Sequence, residues 1–181
     1  MKVLPTPLEG VMIVEPALHG DARGWFMETW NADAFAQAGI AADFVQDNHS
    51  RSGKGVLRGL HYQLRRPQGK LVRVVAGRVF DVAVDLRRSS TRFGRWFGVE
   101  LSAENRRMLW IPPGFAHGFL TLEERTECLY KCTDFYAPED ERALLWSDPE
   151  IGVEWPFEGE APLVSGRDHA APGLAEAETY A

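Results

Sequence analysis

Cysteine is nearly missing: 181 residues hold two, Cys128 and Cys132. Four positions apart on a strand, they would stand roughly 13 Å from each other, far beyond disulfide reach. They are expected as reduced, semi-buried thiols. Long apolar runs are missing as well, so no stretch approaches a membrane-spanning length. The opening MKVLPTPLEG lacks the apolar core of a secretory leader, which makes the cytoplasm the expected compartment. There is no basic excess either. A formal net charge of −6 argues against nucleic acid or a membrane surface as partner. It leaves room for a small anion held by a few converging cations. No repeat and no linker divides the chain, and 1–181 reads as a single domain.

What the chain has in quantity is turn residues and β-branched residues. Seventeen glycines and eleven prolines fit many short strands joined by turns. The stretch Gly55–Asp85 is the densest part. Val72, Val74, Val79, Val82 and Val84 suit a pleated, half-buried surface, and Gly77 between the two runs suggests a hairpin. Alternation puts His61 and Gln63 on one face of a strand and Leu60 and Tyr62 on the other. Arg58 is expected to share the face of His61 if the strand is regular. A cation beside an imidazole suits a wet cleft that receives an anion.

Along the chain, residues 1–16 with Pro5, Pro7 and Pro16 read as an extended edge segment that needs a partner strand. Gly24–Trp30 reads as a strand carrying Glu28. Asn31–Gly39 is the clearest helix, with Asn31 as N-cap and Gly39 as terminator. Strands are expected over Phe93–Leu101, Arg107–Ile111, Gly118–Leu122 and Glu127–Tyr136. Short helices or loops fill 137–150. The Ala/Glu-rich tail, 170–181, is expected to fray or pack loosely. The class is all-β, a sandwich, jelly roll or barrel with a few short helices.

Three residue sets could carry chemistry. Pro112-Pro113-Gly114-Phe115-Ala116-His117 looks like the PxGxxH turn of the cupin superfamily, whose metal-binding members place an HxH pair and a glutamate on an earlier strand. Here that step reads His61-Tyr62-Gln63, without the second histidine, so no metal is expected. The alternative is metal-free acid–base work. A histidine oriented by a carboxylate is a competent base near neutral pH. Asp168 could orient His61, Tyr130 or Tyr136 could be the acid, and Lys70 could hold an enolate. Each residue also has a plain structural reading: a packed histidine, a packed tyrosine, a solvated lysine.

An ordered series of segments settles more than spacing does. It runs Gln46-Asp-Asn48-His-Ser-Arg-Ser, Gly55-Val-Leu-Arg58-Gly-Leu-His61-Tyr-Gln63, Lys70-Leu-Val-Arg and Phe80-Asp-Val-Ala-Val-Asp-Leu-Arg87. Trp110-Ile-Pro-Pro-Gly-Phe-Ala-His117-Gly-Phe119, Tyr130-Lys-Cys-Thr-Asp-Phe-Tyr136, Trp146-Ser-Asp-Pro149 and Trp155-Pro156 follow. The chain resembles the dTDP-4-dehydrorhamnose 3,5-epimerase family over nearly its whole length. The resemblance implies a metal-free cupin-like jelly roll, a double-stranded β-helix, working as a homodimer without cofactor. It implies dTDP-4-dehydro-6-deoxy-D-glucose as substrate. It makes His61 the general base, Asp168 its dyad partner, Tyr130 the acid and Lys70 the group near the C4 oxygen. Arg23, Glu28, Gln46, Asp47, Asn48, Arg58, His117, Tyr136, Glu141 and Arg167 become substrate-binding positions. It also implies strands exchanged across the dimer, with Arg23 and Glu28 serving the neighbour's site. Arg167 stands where relatives often have lysine, and Ala143 where they have glycine. A related epimerase acting at C3 or C5 alone, and a non-catalytic sugar-nucleotide-binding cupin, are the competing readings.

Overall fold

Strands alternate their side chains, so a chain rich in short β-branched runs must bury one face of each. The computed structural model describes residues 1–157 and 159–181. Six strands form one sheet, in the order β1 (Lys2–Pro5), β2 (Met12–Glu15), β10 (Met108–Ile111), β7 (Lys70–Ala76), β12 (Thr126–Cys132) and β5 (Gln46–Ser52). A second sheet runs β13 (Glu141–Ala143), β6 (Val56–Gln63), β11 (Phe115–Thr121), β8 (Arg78–Asp85) and β9 (Trp96–Ser102). β14 (Leu163–Val164) adds to β6 in parallel. The hairpin β3 (Leu18–Asp21) and β4 (Gly24–Met27) stands apart from both. The expected jelly roll is what these two antiparallel layers make.

The inner core joins the sheets: Val72, Val74, Leu109 and Cys128 from the first meet Val79, Ala83, Phe115 and Phe119 from the second. The outer face of the first sheet is covered by α1 (Ala32–Gln37), which buries Phe35 against Leu71, Met108 and Trp110. Asn31 caps α1 as expected, its side chain accepting from the Ala34 N–H at 3.1 Å. The N-terminal segment forms β1 and β2 at a sheet edge, also as expected.

Four expectations are corrected. Gly77 makes no hairpin, because β7 and β8 belong to different sheets. It is a corner with φ +72, where a Cβ would stand 2.4 Å from the Thr126 hydroxyl. Residues 137–150 include a short strand, β13, paired to β6. The strand expected over Glu127–Tyr136 ends at Cys132. The tail does not pack loosely. Leu174 and Ala177 are buried against Leu60, Tyr62 and Val84 on the outer face of the second sheet. The Tyr180 hydroxyl donates to the Gln63 carbonyl at 2.6 Å, and the Tyr62 hydroxyl donates to the Glu178 carbonyl at 2.5 Å. Composition hid this, because a few well-spaced apolar residues anchor a tail as well as a long run does.

Candidate active site

The cleft opens between the two sheets, and alternation decides which side chains reach it. On β6 the parity changes partway. Arg58 and His61 both line the cleft although three positions separate them, and Leu57 and Leu60 both enter the outer core. In a regular strand Arg58 and His61 would face opposite sides, so the expectation that regularity brings them together is corrected: the irregularity does. The change falls at Gly59, which has φ +122 and backbone so near β11 that a Cβ would lie 2.5 Å from the Gly118 Cα. The β6–β11 register shifts between His117 and Phe119, which leaves His61 directly opposite His117.

His61 Nε2 lies 2.6 Å from Asp168 Oδ1. Asp168 sits in α2 (Gly166–His169), whose N-cap Ser165 accepts from the Asp168 N–H at 3.1 Å. The second carboxylate oxygen of Asp168 accepts from the Gly59 N–H at 3.3 Å. The carboxylate is 5% exposed and the imidazole 32%, so the ring faces the cleft and the carboxylate does not. Burial alone would raise the Asp168 pKa. The hydrogen bonds from His61 and Gly59 win and hold it below the usual carboxylate range. A second pair lies behind His117, whose Nε2 is 3.0 Å from both oxygens of the buried Asp81.

Lys70 comes from the opposite sheet, with Nζ 3.5 Å from the His61 carbonyl. Burial pushes its pKa down, against the nearby Cys132, Asp81 and Glu141. Tyr130 is raised, chiefly by burial, and so keeps its proton. The two tyrosines proposed as acid differ in their partners. The Tyr136 hydroxyl donates to Glu141 Oε2 at 2.7 Å, and the same oxygen accepts from Arg167 Nη1 at 2.5 Å. Among the described residues the Tyr130 hydroxyl makes no such bond. Burial would raise Glu141, yet the bonds from Tyr136 and Arg167 keep its carboxyl below the ordinary range.

Two lobes make up the cleft. The larger, about 650 Å³, is lined by Ser50, Arg58, His117, Arg167 and Asp168, among others. The smaller, about 220 Å³, is lined by Gln46, Asn48, Gln63, Gln68, Tyr136 and Glu141, among others. His61, Lys70 and Tyr130 line both, so the groups able to move protons stand where the lobes meet. A separate cavity of about 520 Å³, lined by Lys54, Arg78 and Phe157, lies beyond Leu163 and holds none of these groups.

Three sequence-derived positions fall outside the cleft of their own chain. Asp47 is on the outward face of β5, because that strand alternates, and it pairs with Lys131 at 3.0 Å. Arg23 is in the β3–β4 turn, paired with Asp21 at 2.5 Å. Glu28 follows β4 and accepts from Asn31 at 3.1 Å. Sequence reading missed Asp81, Ser50 and Gln68. Asp81 had a signal, since an aspartate inside the apolar run Phe80–Val84 must find a buried partner. Among the described residues no three His, Cys, Asp or Glu side chains are grouped to hold a metal.

A carboxylate-backed imidazole, a protonated tyrosine and a lysine around one junction can remove a proton beside a carbonyl, hold the enolate and return a proton. The comparisons agree with that chemistry. The family model for dTDP-4-dehydrorhamnose 3,5-epimerase matches residues 5–176. A dTDP-4-dehydrorhamnose 3,5-epimerase of Pseudomonas aeruginosa is 55% identical, over 99% of each chain. The structure of a dTDP-6-deoxy-D-glucose-3,5-epimerase from Legionella pneumophila, in complex with dTDP-4-keto-L-rhamnose, superposes with TM-score 0.94 at 49% identity, covering 98% of this chain and 94% of that one. A 3'-monoepimerase from Streptomyces bikiniensis, in complex with dTDP-quinovose, gives TM-score 0.88 at 38% identity, covering 94% of this chain and 87% of that one.

Proposed function

Because the chain belongs to the dTDP-4-dehydrorhamnose 3,5-epimerase family, we propose that the junction of the two lobes is where a 4-keto hexose is epimerised. The enzyme is an isomerase. It converts dTDP-4-dehydro-6-deoxy-D-glucose to dTDP-4-dehydro-L-rhamnose, in dTDP-L-rhamnose synthesis. The observation that carries the site assignment is the His61–Asp168 pair, standing with Lys70 and Tyr130 around one junction.

The protons at C3 and C5 are both α to the C4 ketone, so each can leave as an enolate forms. His61 takes the proton, and Asp168 orients the ring and stabilises the imidazolium. Charge then gathers on the C4 oxygen, where the Lys70 ammonium, poorly solvated by water, interacts strongly with it. Tyr130 returns a proton from the other face, and the centre inverts. The larger lobe takes the hexose. Arg58 and Arg167 supply permanent charge to the diphosphate. Gln46, Asn48, Tyr136 and Glu141 grip the nucleotide side from the smaller lobe. Arg23 and Glu28 reach the cleft of a second subunit in a homodimer, and the cytoplasm is the compartment.

The test is proton exchange in deuterium oxide, read by NMR on the 4-keto sugar nucleotide with a reductase trapping the product. Deuterium is expected at both C3 and C5, with both centres inverted. His61→Asn should lower exchange on the order of 10²–10⁴-fold while dTDP still binds. Near-normal exchange in that variant would make another residue the base. Inversion at C3 alone would favour the chemistry of the monoepimerase.

A further inference from the structure

The inner face of β5 presents four polar side chains to the cleft side of the fold: Gln46, Asn48, Ser50 and Ser52. Three are engaged. Gln46 accepts from the Tyr136 N–H at 2.9 Å and donates to Asn48 at 3.0 Å. Asn48 donates to the Cys132 sulfur at 3.4 Å. Ser52 accepts from Arg58 Nε at 3.1 Å. Ser50 is the exception. Its hydroxyl is sealed from solvent and finds no partner among the described residues, although Ser50 lines the larger lobe with His61, Lys70 and Tyr130. A buried hydroxyl without a partner costs stability, and a native structure rarely keeps one without use. Serine re-aims its hydroxyl by one staggered step of χ1.

We propose that Ser50 is a substrate-binding residue, holding the C2 hydroxyl of the hexose. The inference rests on the reading that the larger lobe takes the sugar. In a 4-keto-6-deoxy hexose the free hydroxyls are those on C2 and C3. C3 is a reacting centre, and its hydroxyl swings when that centre inverts. C2 keeps its configuration throughout, so a fixed donor–acceptor can hold its hydroxyl in substrate, enolate and product alike. That contact keeps the ring in place as the proton traffic moves from one carbon to the other.

The experiment compares Ser50→Ala with the wild type on the 4-keto substrate and on its 2-deoxy analogue, with dTDP affinity and thermal melting measured beside them. The expected result is a loss of about five- to tenfold in kcat/KM on the native substrate, as for one neutral hydrogen bond. No further loss is expected on the 2-deoxy analogue, and dTDP affinity should be unchanged. An equal loss on both substrates would move the contact away from C2 and overturn the proposal. A parallel loss of dTDP affinity would place it on the nucleotide and also overturn it. Unchanged kinetics with a raised melting temperature would reduce Ser50 to an unused polar group. The reading beneath the proposal, that the sugar lies against the His61–Asp168 pair in the larger lobe, fails separately: it falls if His61→Asn exchanges protons at a near-normal rate, whatever Ser50→Ala does.

Discussion

A hydroxyl already committed to a carboxylate makes a poor proton donor to anything else, and that separates the two tyrosines. The Tyr136 hydroxyl donates its hydrogen bond to Glu141, whereas among the described residues Tyr130 makes no such bond at the junction of the lobes. Tyr130→Phe should therefore still exchange, because His61 removes and returns a proton on its own face. Inversion should fall by at least about a hundredfold. Tyr136→Phe should weaken binding and leave inversion in place. Deuterium incorporation and epimer yield, read together for both variants, check the assignment, and the reversed pattern would make Tyr136 the acid. Lys70 adds a pH signature. Its pKa is lowered by burial, so its charge is lost at a lower pH than the 10.5 of an ordinary lysine. The alkaline fall in kcat should then lie below that value, whereas burial moves Tyr130 the other way, above an ordinary tyrosine. A rate profile flat through pH 10.5 would count against Lys70. Most of these residues were legible as a family pattern. Their partners were not: nothing local in the sequence says that Asp168 reaches His61 across 107 positions.

Elements place these residues, and elements are where the sequence was least legible. The Gly77 corner reads like a hairpin because a positive φ serves both, and only the sheet each strand joins tells them apart. Arg58 came to the expected face for an unexpected reason, since the parity of β6 breaks at Gly59. The tail is the sharpest case. Residues 178–181 grip the strand that carries His61: Tyr180 and Glu178 bond to Gln63 and Tyr62, and Arg142 pairs with Glu178 at 2.5 Å. Removing Glu178–Ala181 strips a large aromatic from a packed site. The expected cost is about 3 kcal/mol, by analogy with aromatic truncation in cores. A denaturant midpoint unchanged by the truncation would return the tail to the loose state its composition suggests. At α2, Ser165→Ala should cost about 1 kcal/mol by removing the cap. It should also lower kcat, because Asp168 sits in that first turn.

Taken whole, the chain has a two-sheet body and one outlying piece. The β3–β4 hairpin exposes Trp25 at 57% and Phe26 at 68%, an apolar ribbon whose one cation contact among the described residues is the Arg106 guanidinium, 5.2 Å from the Trp25 ring. It carries Arg23 in its turn, and Glu28 follows it, both outside the cleft their own chain forms. The proposed homodimer covers the ribbon, and sedimentation at micromolar concentration should give twice the chain mass. A monomer there would refute it. If each cleft borrows its neighbour's Arg23, genetics can see it: two dead proteins should revive each other. Mixing His61→Asn with Arg23→Ala and allowing subunits to exchange gathers both lesions into one cleft of each mixed pair and leaves its twin whole. With random pairing, about a quarter of all clefts recover, from parents that are each inactive or crippled.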